Sequence, residues 1–183
     1  IYIINHANDK ILMIDLDLLP IIEKIINDCP KVEKLVILCS KADLPSTKFL
    51  NVISYEELLS MGNENFEWIS GEETDACGIC YTSGTTGNPK GVVYTHRSNT
   101  LHALTQAAPD MLNLSSTDTI MPVVPLFHAN GWSIAYTAPL VGSAIVFPGG
   151  DLSPSSLYEM LEEGVTITAA VPTVWLLLLN FLK

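Results

Sequence analysis

Thr82-Ser83-Gly84-Thr85-Thr86-Gly87 is an unbroken run of hydroxyls and glycines, and Lys90 follows shortly after it. Gly84, Gly87 and Gly91 can take positive φ and let backbone N–H groups approach a ligand closely. Successive N–H groups of this kind form an anion-binding concavity. The hydroxyls of Thr82, Ser83, Thr85 and Thr86 add donors and candidate metal ligands. Pro89 stiffens the turn, and Lys90 supplies compensating positive charge. A polyphosphate is the guest that fits such a loop.

The spacing separates this loop from two other phosphate binders. A Walker A motif needs Ser or Thr directly after its lysine, and here Gly91 and Val92 follow Lys90. A GxGxxG fingerprint needs glycines two residues apart, which the stretch lacks. Both of those loops lead into a helix N-terminus. This one leads into "VVYT", a strand-like run, so it reads as a hairpin loop closing over phosphates. The bland alternative is a surface turn, which seldom needs so many donors.

A second group is Phe127-His128-Ala129-Asn130-Gly131-Trp132. His128 can switch charge near neutral pH. Trp132 follows Gly131, whose missing side chain leaves room for a large ring to swing. On a helical turn His128 and Trp132, four apart, would share a face. The competing readings are a core histidine and a packed core indole. Cys77 and Cys80 form a lone CxxC. They fall in a strand-like run, where an offset of three points side chains to opposite faces, so a zinc module is disfavoured. Cys29 and Cys39 sit in ordinary apolar contexts.

The elements that must hold these groups alternate between short apolar runs and helical periods. "ILMIDL" and "KLVILC" read as strands, the second too uniformly apolar for a sheet with a solvated face. "DLLPIIEKIINDC" between them reads as a helix. Ser54 and Glu57 fit a capping box opening "YEELLSM". After the polar, acidic loop 62–75 come a strand "ACGICYT", the Gly-rich loop, a strand "VVYT" and a helix from His96 to about Ala108. "TDTIMPVVP", "SAIVF" and "VTITAAV" read as further strands, and "NGWSIAYTAPL" as a helix. Ser153 and Pro154 open "SLYEMLEE", Gly164 closes it, and Thr173 caps a terminal helix. Strands separated by helices imply βαβ units and a largely parallel sheet. The weakest candidate boundary is the acidic loop.

Composition bounds the function. The chain has 183 residues, is 48% hydrophobic and carries a formal net charge of −11, which argues against disorder and against a nucleic-acid or anionic-membrane surface. Between Phe49 and Leu182 the only basic residues are Lys90 and Arg97, both in or beside the Gly-rich stretch. The chain does not begin with Met and shows no signal peptide. The terminal "VWLLLLNFLK" is far short of the ~20 residues needed to span a bilayer. It reads as a buried helix whose packing partner lies outside the chain.

"YTSGTTGNPKG" closely resembles the phosphate-loop signature of the adenylate-forming superfamily, which includes acyl- and aryl-CoA synthetases, luciferases and peptide-synthetase adenylation domains. "PLFHANGW", "PLVGSAIVFPG", "EEGVTITAAVPTVW" and "YTHRS" are similar to the same family, so the resemblance extends over the whole chain. It implies an α/β fold with layered β-sheets flanked by helices, and a chain (1–183) that is a fragment of the large N-terminal AMP-binding domain. The Tyr-Gly-x-Thr-Glu and Thr-Gly-Asp motifs and the small C-terminal domain are not found in the chain. The fragment alone is therefore expected to be inactive.

The implied reaction has two steps. A carboxylate attacks the α-phosphate of ATP to give an acyl-adenylate and pyrophosphate, and the thiol of CoA then displaces AMP. Such chemistry needs alignment and charge stabilisation and no protein nucleophile. By motif match, Thr82 is the Mg²⁺ ligand, and Ser83, Gly84, Thr85, Thr86, Gly87 and Lys90 hold the β- and γ-phosphates. His128 and Ala129 line the adenylate and acyl pocket, and Trp132 gates an acyl tunnel. His at 128, where amino-acid-activating relatives carry Asp, suits an acid with no amine. "FHANGW" resembles medium- and long-chain fatty-acyl-CoA synthetases and methylmercaptopropionate-CoA ligases. A cytoplasmic enzyme is implied, with homodimerisation left open. The competing class is a non-catalytic phosphate-binding module that has kept the loop.

Overall fold

A computed structural model describes residues 1–83 and 87–183, which form two compact units. Unit one comprises Ile1–Ser70 with Ser83–Lys90, and unit two Gly71–Thr82 with Gly91–Lys183. The first division therefore falls inside the acidic loop, between Ser70 and Gly71.

Unit one opens with helix α1 (Tyr2–Ala7), which the sequence pattern does not announce. Strand β1 (Ile11–Ile14), helix α2 (Leu19–Ile25) and strand β2 (Lys34–Ile37) then make a parallel βαβ unit, and β3 (Val52–Ser54) pairs parallel on the far side of β2. Leu35, Val36 and Ile37 are all buried, as expected of a central parallel strand covered on both faces. Helix α3 (Tyr55–Ser60) starts with the anticipated capping box: the Ser54 hydroxyl accepts from the Glu57 N–H at 3.1 Å, and the Glu57 carboxylate accepts from the Ser54 N–H at 3.1 Å.

Unit two begins with β4 (Ala76–Thr82) and β5 (Lys90–Thr95), which pair with each other. Their connection is shorter than the dozen or so residues a parallel crossover takes, so they form a hairpin. Helix α4 (His96–Ala107) follows, capped by Thr95. The second parallel sheet has the order β7-β6-β8, from β6 (Thr119–Pro122), β7 (Ala144–Ile145) and β8 (Ile167–Ala169). Side chains alternate along β6. Ile120 packs with Ile134 and Ala138 of helix α6 (Ile134–Val141), while Met121 packs with Leu157 of helix α7 (Pro154–Glu162). One sheet is thus layered between helices. Before α6 lies a one-turn element, α5 (Ala129–Trp132).

The terminal helix α8 (Pro172–Phe181) corrects one expectation. Its N-cap is Val171, with Pro172 at the first helical position, so Thr173 already lies inside the helix and caps nothing. Leu176, Leu177, Leu179 and Phe181 are exposed, while Leu178 is buried. No described helix is long and apolar enough to cross a membrane.

Asp118 fastens the second sheet. Its carboxylate accepts from the Ser115 hydroxyl at 2.7 Å, the Ser115 N–H at 2.8 Å and the Thr166 hydroxyl at 3.0 Å. These bonds hold its pKa below the ordinary 3.8, with the Ser115 hydroxyl the largest cause. A carboxylate whose folded pKa is depressed contributes stability that is present above its unfolded value and lost as pH falls through the folded one. Asp118→Asn should therefore lower stability at neutral pH and flatten its decline in acid. Melting temperatures followed from neutral pH to about pH 2 check this. A variant that loses stability in acid as steeply as the parent would show that Asp118 is not a source of the acid sensitivity.

Candidate functional site

Strand β4 carries Thr82 to its end, and β5 begins at Lys90. Thr82, Ser83, Gly87 and Lys90 are all exposed. Among the described residues Lys90 makes no ion pair. Gly87 has φ +96° with open space around it, so glycine is required there by backbone conformation alone. Gly91 is different, and corrects the expectation of positive φ. A Cβ on Gly91 would lie 2.5 Å from Ile79 Cδ1 and 3.3 Å from Tyr81 Cζ. Glycine there lets β5 run close against two β4 side chains. Gly84, Thr85 and Thr86, assigned to phosphate binding on the sequence, lie outside the described residues.

The Phe127–Trp132 segment does not form the right-handed turn that would put His128 and Trp132 on one face. Ala129, Asn130, Gly131, Trp132 and Ser133 have φ of 43, 51, 59, 57 and 66°, a left-handed run. L-residues resist this conformation because Cβ crowds the following carbonyl, at roughly 1–2 kcal/mol per residue. The turn is held by Gly131 N–H to the His128 carbonyl at 3.0 Å and Ser133 N–H to the Ala129 carbonyl at 3.3 Å. A Cβ on Gly131 would come 2.7 Å from Leu126 Cδ2. His128 is exposed, which removes the core-histidine reading. Ala129 is half-buried and Trp132 is 37% exposed, so the indole is neither free nor fully packed.

One bond ties this turn to the strand that enters the Gly-rich loop. Cys80 Sγ donates to Asn130 Oδ1 at 3.7 Å. Cys80 and Thr82 are two apart on β4 and so share a strand face. Sequence spacing gave no hint of this contact, because the partners are fifty positions apart. Cys77 has other partners: it accepts from Asn99 Nδ2 at 3.2 Å and donates to the Tyr94 carbonyl at 3.5 Å. Among the described residues no group of three or more His, Cys, Asp or Glu could hold a metal ion.

Arg97, the other cation near the loop in sequence, is engaged elsewhere. Its guanidinium pairs with the Glu73 carboxylate, and its N–H donates to the Glu73 carbonyl at 2.7 Å. The Glu73 bond raises the pKa of Arg97 above its usual value. The acidic loop is thereby tied to the first turn of α4, and among the described residues Lys90, unlike Arg97, makes no ion pair.

Comparison with known proteins bears on the whole chain. The family model described as AMP-binding enzyme matches residues 1–183. A medium-chain-fatty-acid–CoA ligase of Ectopseudomonas oleovorans is 48% identical over 175 residues, covering 95% of this chain and 32% of the relative. A long-chain-fatty-acid–CoA ligase of Thermus thermophilus is 46% identical over 183 residues, covering 100% of this chain and 32% of the relative. Among solved structures, a long-chain-fatty-acid-CoA ligase from Archaeoglobus fulgidus superimposes with a TM-score of 0.82 at 28% identity, covering 99% of this chain and 34% of that one. The chain thus spans about a third of the length of the relatives it matches. Matched from end to end by that model and by relatives at 46–48% identity, the chain belongs to the AMP-binding enzyme family.

Proposed function

We propose that the intact protein is an ATP-dependent acid–thiol ligase acting on a medium- or long-chain fatty acid or a related carboxylic acid. This chain is then part of its large N-terminal domain. A carboxylate oxygen attacks the α-phosphorus of ATP, the bond to the pyrophosphate oxygen breaks, and an acyl-adenylate forms. The thiol of CoA then attacks the acyl carbon and AMP leaves.

The observation that carries this reading is the exposed Lys90, which makes no ion pair among the described residues; the exposed residues Thr82 and Ser83 support it. Lys90 and the loop residues Ser83–Gly87 orient the β- and γ-phosphates and hold negative charge as it develops on the departing pyrophosphate. His128, Ala129 and Trp132 take the acid. The donors suit Mg²⁺: Thr82 offers a neutral oxygen, and Mg²⁺ keeps water and phosphate ligands around few protein ones. When bound, the ion neutralises phosphate charge. Electropositive support from the protein then falls to Lys90.

ATP–pyrophosphate exchange by the intact protein across a panel of carboxylic acids tests the proposal. Exchange is expected with medium- and long-chain fatty acids. Exchange with amino acids and not with fatty acids would overturn the substrate class, and none with any acid would overturn the activity.

A further inference from the structure

Asn130-Gly131 is the only Asn-Gly pair in the chain. In such a pair the glycine nitrogen can attack the asparagine Cγ, because no side chain on the glycine shields it. The structure shows why both residues stand in the turn before α6. Gly131 has φ 59°, and a Cβ there would come 2.7 Å from Leu126 Cδ2. Asn130 has φ 51° and ψ 46°, left-handed backbone that asparagine tolerates better than most residues with a side chain. The geometry requires glycine at 131 and favours asparagine at 130, and so builds in the dipeptide most prone to lose its side-chain amide.

The same geometry holds that chemistry back. The Gly131 nitrogen must give up its proton to attack, and here its N–H donates to the His128 carbonyl at 3.0 Å. Ring closure also needs that nitrogen on the same side of the Cα–C bond as Cβ. At ψ 46° it lies nearly opposite Cβ. Attack therefore requires a large rotation of ψ at Asn130, which breaks the turn. The carboxamide is engaged as well, since its Oδ1 accepts from Cys80 Sγ at 3.7 Å.

We infer that Asn130 is a deamidation site, kept dormant by the folded turn and released by its local unfolding. In the unfolded segment the deprotonated Gly131 nitrogen attacks Asn130 Cγ, the bond from Cγ to the side-chain nitrogen breaks, and ammonia leaves. A five-membered imide results. Water adding at Cγ opens it to aspartate. Water adding at the main-chain carbonyl opens it to isoaspartate, whose backbone runs through the side chain. Either way a water is consumed, an ammonia is released and a carboxylate is gained. The site and its dormancy stand on the geometry of the turn. Their consequence rests on the ligase reading: a carboxylate in the segment that takes the acid opposes an incoming carboxylate.

The test reads the amide directly, without substrates. The intact protein is held in mildly alkaline buffer, and separately in urea above its unfolding transition. Mass spectrometry of the peptide spanning Asn130 follows conversion of amide to acid. The folded protein is expected to convert at least ~10-fold more slowly than the unfolded chain, since only the opened fraction reacts. Below the transition the folded rate should rise shallowly with urea, because a local opening exposes far less surface than global unfolding. Asn130→Asp installs the product and should raise the KM for the acid severalfold in ATP–pyrophosphate exchange. No conversion in the unfolded chain, equal rates folded and unfolded, or a urea slope matching that of global unfolding would overturn the dormant site. An unchanged KM in Asn130→Asp would overturn its consequence for acid binding. The ligase reading fails separately, if the parent exchanges with no acid, and the conversion of Asn130 is measured whether or not it does.

Discussion

Lys90→Ala in the intact enzyme should slow ATP–pyrophosphate exchange roughly 150-fold while leaving the melting temperature nearly unchanged. The size follows from removing one preorganised donor aimed at developing charge, worth about 3 kcal/mol of transition-state stabilisation. Thermal stability is spared because Lys90 is exposed, heads a strand and makes no ion pair with a described residue. Surface substitutions of this kind usually stay within about 0.5 kcal/mol. Lys90→Arg keeps the charge on a longer, planar head, and should recover only part of the rate. Exchange at the parental rate in Lys90→Ala would mean that the loop is not the phosphate cradle. A large loss of stability would mean that the lysine serves the fold.

Local signals were the most legible part of this chain. The capping box at Ser54 and Glu57, the cap at Ser153 with Pro154, and the closing Gly164 at φ +104° all lie where short-range rules put them. Each depends on a few neighbouring residues and one backbone angle. The strand "ACGICYT" was read to its ends because the polar loop and the Gly-rich loop bound it sharply. The parallel pairing in two of the sheets was likewise implied by the alternation of strands and helices.

Other strand lengths were not legible. "TDTIMPVVP" pairs only over Thr119–Pro122, yet Val123 and Val124 beyond it are buried too. Apolarity reports burial, and burial continues where ladder pairing has stopped. "SAIVF" shrinks to Ala144–Ile145, and there burial stops as well, with Phe147 exposed. β3 was missed because a three-residue strand carries too little pattern to separate from a loop.

For the candidate site the sequence offered residue types and little geometry. Lys90 was picked out by charge, and among the described residues it makes no ion pair while Arg97 is committed to Glu73. Gly91 was read as a conformational glycine, but its cause is a steric approach to Ile79 that only the paired strands reveal. The left-handed turn was invisible for a related reason. Ala, Trp and Ser at positive φ contradict their own propensities, and such conflicts persist only where surrounding contacts over-determine the backbone.

Trp132→Ala should let the intact enzyme bind a long-chain acid at least tenfold more tightly without ATP, about 1.4 kcal/mol. The indole is 37% exposed, on a turn bonded to the strand that enters the Gly-rich loop. An aromatic ring half-packed on such a turn can plug an apolar tunnel and be moved when the strand end moves. Deleting it should remove the plug. The cost to stability should be smaller than the roughly 3–5 kcal/mol of a fully buried aromatic, because part of the ring already faces water. Calorimetric titration of the acid into the ATP-free variant and the parent reads the first effect, and thermal melts read the second. A variant that gains no affinity and melts far below its parent would show an indole that packs and does not gate. Gained affinity with modest destabilisation would place the barrier to acid entry at Trp132.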